Sequence, residues 1–188
     1  GVFLNTLTGI LGDYAVTAPM DTFTALTSDR HPTDLAMLRS ARLVTASETE
    51  EGNAWAESRI KQMTGGDPIT ARFMRQDFFG FKPQFKLFVY GNHKPRLRNI
   101  DEAIKRRLQL IPFTVRIPEA QRDKQLLEKL QAEGPGILAW MLEGTVRWQQ
   151  EGLQYACHAV DRLHGNFVHA RSPWINSVPT TNQSRLLI

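Results

Sequence analysis

The sequence predicts an α/β protein, a three-layer core built on a mainly parallel sheet. Short runs rich in β-formers alternate with stretches of helical period, which is how strand–helix–strand units read. One run, "KLFVYG" (86–91), is continuously apolar, as a strand covered on both faces requires. Between Ile69 and Lys86, β-formers instead alternate with polar residues about a centre at 76–80, the pattern of a β-hairpin.

In chain order, "VFLNTLTGIL" (2–11) carries apolar residues near helical spacing and can stop at Gly12. Residues 13–32, rich in Thr, Asp and Pro, read mostly as loop. "TDLAMLRSA" (33–41) is a short helix with Thr33 or Asp34 as its cap. "RLVTAS" (42–47) is a brief strand that runs into Glu48, Glu50 and Glu51. "NAWAESRIKQM" (53–63) is a helix ended by Gly65-Gly66. After the hairpin and the apolar strand, "DEAIKRRL" (101–108) reads as helix and "QLIPFTVRI" (109–117) as a strand interrupted by Pro112. "RDKQLLEKLQAE" (122–133) is an amphipathic helix. "ILAWMLEGTVRWQQEGL" (137–153) is another, with Gly144 a weak point. From about Tyr155 no period is sustained.

Composition bounds the function. The chain has 188 residues, 41% of them hydrophobic and 22% charged, enough for one domain with a core, or one domain and an appendage. No apolar run is long enough to span a bilayer and no signal peptide opens the chain, so a cytoplasmic protein without membrane contact is expected. The single cysteine, Cys157, forms no internal disulfide and suits a reducing compartment. Cys157, His158, His164 and His169 are too irregularly spaced for a metal site. Net charge is only +4, but residues 59–124 hold 15 Lys and Arg against 6 Asp and Glu. Such clustering is either a solvated basic face or the footprint of a polyanion site.

Three constellations can carry chemistry, each with a plainer reading beside it. Glu48 and Glu50 leave the end of a strand, where an acid can hold Mg²⁺ and a neighbour can orient water; acids are also simply favoured before a helix. Asn92 ends the apolar strand, where open α/β sheets bind ligands, and Asn is equally a good turn residue. Lys105, Arg106 and Arg107 share a short helix, suited to a phosphoryl group or to solvent.

Their order is more specific than any one of them. "SETEEG", "KQMTGGDPITAR", "FKPQFKLFVYGNHKP" and "DEAIKRRLQLIPF" resemble, in sequence and separation, the helicase domain of phage and plasmid primases. That group is a branch of the superfamily-three, AAA+-related helicases, and the resemblance covers about residues 2–153. It implies a P-loop NTPase core, AAA+-like, with a protruding β-hairpin and a small helical C-terminal part. The expected division is a truncated core over 1–118, helices over 119–154 and an irregular or disordered tail over 155–188. It further implies ATP and Mg²⁺ as cofactors, single-stranded or forked DNA as partner, and a ring of subunits, hexameric by resemblance. Glu48 and Glu50 would be the acidic pair for Mg²⁺ and water, with Glu48 the metal ligand. Asn92 would sense the γ-phosphate. Arg106 and Arg107 would supply a finger to the neighbouring subunit's ATP.

Two departures qualify this. Family members precede "VFLNTL" with a phosphate loop, and no GxxxxGK[ST] occurs in these 188 residues, so no appreciable ATP hydrolysis is expected of the chain as given. The residues after Leu153 resemble nothing in the family. On the hairpin, Arg72, Arg75, Lys82 and Lys86 would meet phosphates. Phe78, Phe79 and Phe81 would stack on bases or form the hairpin's own core, with Arg75 mattering most and at least Phe81 buried. Two alternatives remain: a non-catalytic DNA-binding or oligomerisation module of the same fold, and an AAA+ protein remodeller, which the basic surplus disfavours.

Overall fold

A computed structural model describes residues 1–25, 33–48, 54–91, 97, 101–105, 107–113, 115–152 and 184–187; at 105, 110, 112 and 184–187 it describes the backbone alone. The fold is mixed α/β, consistent with a Rossmann- or P-loop-like arrangement. Its centre is three parallel strands: β1 (Ala15–Thr17), β2 (Leu43–Glu48) and β5 (Lys86–Gly91). β2 lies in the middle, with Leu43 in register with Lys86 and Glu48 with Gly91.

The centre forms because β2 has no wet face. Leu43, Val44, Thr45 and Ala46 are all buried, so both sides of the strand must be covered. Around it Phe23, Leu38, Trp55, Ile60, Leu87 and Ile104 close into one apolar cluster. β5 was expected to be buried on both faces. Leu87 and Val89 are buried, whereas Phe88 and Tyr90 on the other face are half-buried.

β1 lies in a region expected to be loop. Three residues are too few to show a period, and this strand exists through its pairing: Val16 is in register with Val44, and the Thr17 and Thr45 hydroxyls meet at 3.1 Å. α1 (Val2–Leu11) packs beside β1 and β2 and ends at Gly12 as expected. α2 is shorter than the sequence indicates, Thr33–Ala36, followed by turns that bury Leu38. α3 starts at Glu57 rather than Asn53, because Trp55 instead bridges antiparallel to Thr24 and Ala56 N–H donates to the Phe23 carbonyl. It ends where the Gly-Gly pair predicts, at Gly66 with φ 83°, a left-handed cap that suits a residue without Cβ.

The hairpin is a separate two-stranded sheet, β3 (Ile69–Ala71) against β4 (Phe79–Phe81), with Ile69 opposite Phe81 and Ala71 opposite Phe79. The turn expected at 76–80 is displaced. The loop spans 72–78, because Phe79 pairs with Ala71 and stacks on Phe73, which draws residues 79 and 80 into the strand.

α4 (Glu102–Lys105) leads into β6 (Gln109–Pro112). β6 does not pair with β5. Between them runs β7 (Ser184–Leu187), antiparallel to both, giving the order β1-β2-β5-β7-β6. These four residues pair as a strand within the stretch expected to be irregular or disordered: "SRLL" is too short to announce itself, and its pairing comes entirely from partners distant in sequence. α5 (Leu126–Ala132) and α6 (Gly134–Glu151) lie against α1, and Gly144 does not break α6. Among the described residues no helix is long and apolar enough to cross a membrane.

Candidate functional site

Glu48 is the acid that the fold places best. It is the last residue of the central strand, at the carboxyl edge of the parallel strands, where open α/β sheets bind ligands. It is only 9% exposed, so its carboxyl group must be satisfied by neighbours. The buried Trp55 indole N–H donates to Oε1 at 3.3 Å. On the other side stands Gly91. A Cβ there would lie 2.9 Å from the Glu48 Cβ and 3.2 Å from Oε2, so only glycine leaves the acid its place. Neither Trp55 nor Gly91 stands out as functional in the sequence. Trp55 reads as a helix residue and Gly91 as the end of a strand; the strand register gives both their role. Beside Trp55 a depression of about 550 Å³ opens onto the first turn of α3, lined by Ala25, Ala56, Ser58 and Arg59 among others.

Of the other expected catalytic residues, Glu50, Asn92 and Arg106 lie outside the described residues. Arg107 is half-buried and turned onto its own chain. Its Nη1 donates to the Ala103 carbonyl at 2.6 Å, and its Nη2 lies 3.6 Å from where a Gly65 Cβ would stand. Its Nε is buried without a hydrogen-bond partner among the described residues. The Arg107 guanidinium thus lies beside the turn that ends α3. A direct tie lies nearby: Lys61 on α3 pairs with Asp101, whose carboxylate also accepts the Ile104 N–H at 2.9 Å and caps α4. The Lys61 hydrogen bond and that N–H hold the Asp101 carboxyl below its ordinary pKa. Among the described residues no three His, Cys, Asp or Glu converge as a metal cluster.

The hairpin is a second, separate constellation. Phe73 stacks on Phe79 with ring centres 5.7 Å apart, and Phe79 meets Phe81 at 6.2 Å. The Arg72 guanidinium lies over Phe78 at 4.7 Å and that of Arg39 over Phe79 at 4.9 Å, both cation–π geometries. Phe81 is half-buried against the core, whereas Phe73, Met74 and Phe78 are exposed. The aromatics therefore divide between an exposed set and Phe81, which is turned to the core. Arg75 stands in the loop with φ 60°, exposed, and Lys82 is exposed just after β4. Lys86 is not part of the hairpin. It opens β5, at the end of the sheet opposite Glu48, because its N–H is held by the Arg42 carbonyl. Arg39 was not foreseen as a site residue. It lies about forty residues from Phe79 in sequence, and only the packing of α2 on β3 brings them together.

The chain matches, over residues 1–107, the model of a family described as "Family of unknown function (DUF5906)". It is also 29% identical over 137 residues to "Putative helicase L207/L206" of Acanthamoeba polyphaga mimivirus. That alignment covers 64% of this chain and 14% of the viral protein, so the chain corresponds to a small part of its relative. A helicase-related family is what these two similarities support.

Proposed function

Because the chain belongs to the DUF5906 family, whose function is unknown, we propose a reading from its site: it is part of an ATP-dependent DNA helicase of the superfamily-three type, as in phage and plasmid primase-helicases. The observation that carries this reading is the hairpin. It stands apart from the parallel sheet and holds exposed Phe73, Met74 and Phe78 among Arg39, Arg72, Arg75 and Lys82. Base stacking on aromatic faces with cations nearby suits single-stranded nucleic acid of any sequence.

Glu48 supports the ATPase half of the reading. A carboxylate at the carboxyl edge of the strands has the donor chemistry a hard cation needs, and Glu48 would hold Mg²⁺ there, with Glu50 orienting water. When bound, ATP would supply the energy for moving DNA. Trp55 and Gly91 keep the Glu48 carboxyl at the strand edge, one by a hydrogen bond and one by leaving space. Asn92 would sense the γ-phosphate, and Arg106 or Arg107 would act on a neighbouring subunit's nucleotide in a ring. For Arg107 that task requires leaving its bond to Ala103.

A second reading has its own observation. The 188 residues contain no GxxxxGK[ST], so the chain alone has no backbone cradle of that type for phosphates. The second reading is a non-catalytic module of the same fold that binds DNA. Two measurements separate the readings. Single-stranded DNA titrated at several salt concentrations should bind with little sequence preference and weaken steeply with salt, under either reading. Phosphate release at saturating Mg-ATP should be absent from this chain; turnover that disappears in Glu48→Gln would overturn that expectation. No binding of single-stranded DNA at low salt would sink both readings.

A further inference from the structure

α6 is an 18-residue helix that the rest of the described chain hardly covers. Gly134 is buried against α1, where a Cβ would stand 3.6 Å from Ile10, and Ile137 and Met141 are half-buried. From residue 142 to the end of the helix every residue is exposed, on all sides. Yet large apolar side chains stand in the open along the helix. Trp140 is 71% and Trp148 52% exposed, and neither indole is in a ring contact among the described residues. Exposed tryptophans are costly in a soluble protein and enriched at interfaces.

Their spacing says what kind of surface this is. Trp140, Gly144 and Trp148 are i, i+4 and i+8, so they form one ridge along one face of the helix. The ridge is symmetric about Gly144, whose absent side chain leaves open space: a Cβ there would meet nothing within 4 Å. A two-fold axis through Gly144 therefore seats one ridge on a second copy, glycine on glycine at the crossing and each tryptophan beside the partner's other tryptophan. Leu142 and Val146 fall on the opposite face and are not used.

Charge agrees with that axis. Glu143 and Arg147 lie on one flank of the ridge, both exposed, and neither makes an ion pair among the described residues. In an antiparallel two-fold pair the same flank of each helix meets its copy. At 1.5 Å per residue, Arg147 of one chain then stands about 3 Å along the axis from Glu143 of the other, so two reciprocal ion pairs form. The arrangement complements itself, as an isologous interface must.

We infer that the Trp140–Gly144–Trp148 ridge of α6 is a homotypic docking surface, through which two copies of this chain pair antiparallel about Gly144. The inference does not rest on the helicase reading. The contact joins two chains across a closed two-fold and differs in kind from the head-to-tail contacts of a ring. A single helix pair buries little area, so the dimer is weak.

The full chain is tested by sedimentation over a concentration series. Reversible dimerisation is expected, and Trp148→Ala should weaken it tenfold or more, as loss of a central aromatic does. The thermal midpoint of dilute Trp148→Ala, where the chain is monomeric, should stay unchanged. Arg147→Glu should weaken pairing, and Glu143→Arg combined with it should restore affinity to within a few-fold. In a Cys157→Ser background, Gly144→Cys should cross-link to its own copy under mild oxidation, because a residue on the axis meets itself, and Gln149→Cys should not. A chain that stays monomeric at every concentration overturns the inference. So does a dimer indifferent to Trp148→Ala and to the charge exchange, or equal cross-linking from both cysteines.

Discussion

The strand pair β2–β5 and the strand pair β3–β4 are built from similar residues and come to opposite ends. In the first, parallel strands of six residues bury Val44, Ala46, Leu87 and Val89, and the one acid, Glu48, is anchored and nearly dry. In the second, antiparallel strands of three residues leave Phe73 and Phe78 exposed around the loop that joins them, and arginines lie over Phe78 and Phe79. The difference is what covers them. β2 has a strand on either side and apolar residues on both faces, so each side chain has a fixed neighbour. The hairpin stands in a sheet of its own, and only its inner residues, Ile69, Ala71 and half of Phe81, reach the core. A two-stranded sheet of this size has no independent stability, so the hairpin depends on those anchors. The buried and the exposed positions of the hairpin are thus held by different side chains.

Substitutions should separate the two regions. The largest effect is expected in the sheet. Leu87→Ala removes a fully buried side chain and should cost about 2–5 kcal/mol in denaturant unfolding, with the salt dependence of DNA binding at matched folded fraction unchanged. If Leu87→Ala were nearly neutral, the contrast between a dry sheet and a wet hairpin would fail. Gly91→Ala comes next. Its Cβ would stand 2.9 Å from the Glu48 Cβ, so overpacking of about 1–3 kcal/mol is expected. The Trp55 hydrogen bond to Glu48 should be disturbed with it, which the tryptophan emission spectrum reports.

In the hairpin the order reverses. Phe78→Ala should weaken binding of single-stranded DNA by about 1–3 kcal/mol, the worth of one stacked base. Its thermal midpoint should move little, because the ring is exposed. Arg75→Ala should flatten the slope of log affinity on log salt by about 0.7, the value for one phosphate contact on a single strand. Equal affinity and slope in the variant would make the basic hairpin a solvated surface. Phe81, half-buried, should cost less stability when truncated than the ~3–5 kcal/mol of a fully buried phenylalanine.

The smallest effect concerns Asp101. Its carboxyl titrates below the ordinary value because Lys61 and the Ile104 N–H bind the charged form. Its contribution is therefore present above the unfolded pKa of about 3.9 and is lost as pH falls through the lower folded pKa. The group is solvent-exposed, so Asp101→Asn should change the acid limb of a stability–pH profile only slightly.

The sequence by itself determined the periodic parts. The continuously apolar run "KLFVYG" called for a covered parallel strand, helical period marked α1 and α6, and the Gly-Gly pair stopped α3, since left-handed backbone favours glycine. It also named Glu48 as an acid at a strand end. What it did not determine were features whose cause is distant in the chain. β1 and β7 are strands because other strands pair with them, and their own three or four residues carry no period. The hairpin turn moved because Phe79 pairs with Ala71 and stacks on Phe73. Lys86 left the cationic set because β5 begins at it, and Arg39 joined through α2. Trp55 and Gly91 became the partners of Glu48 only when the register of β2 on β5 and the Thr24 bridge were in place. Periodicity is local and is written in neighbouring residues. Pairing and register are free energies between segments far apart in sequence, and tertiary packing alone decides them.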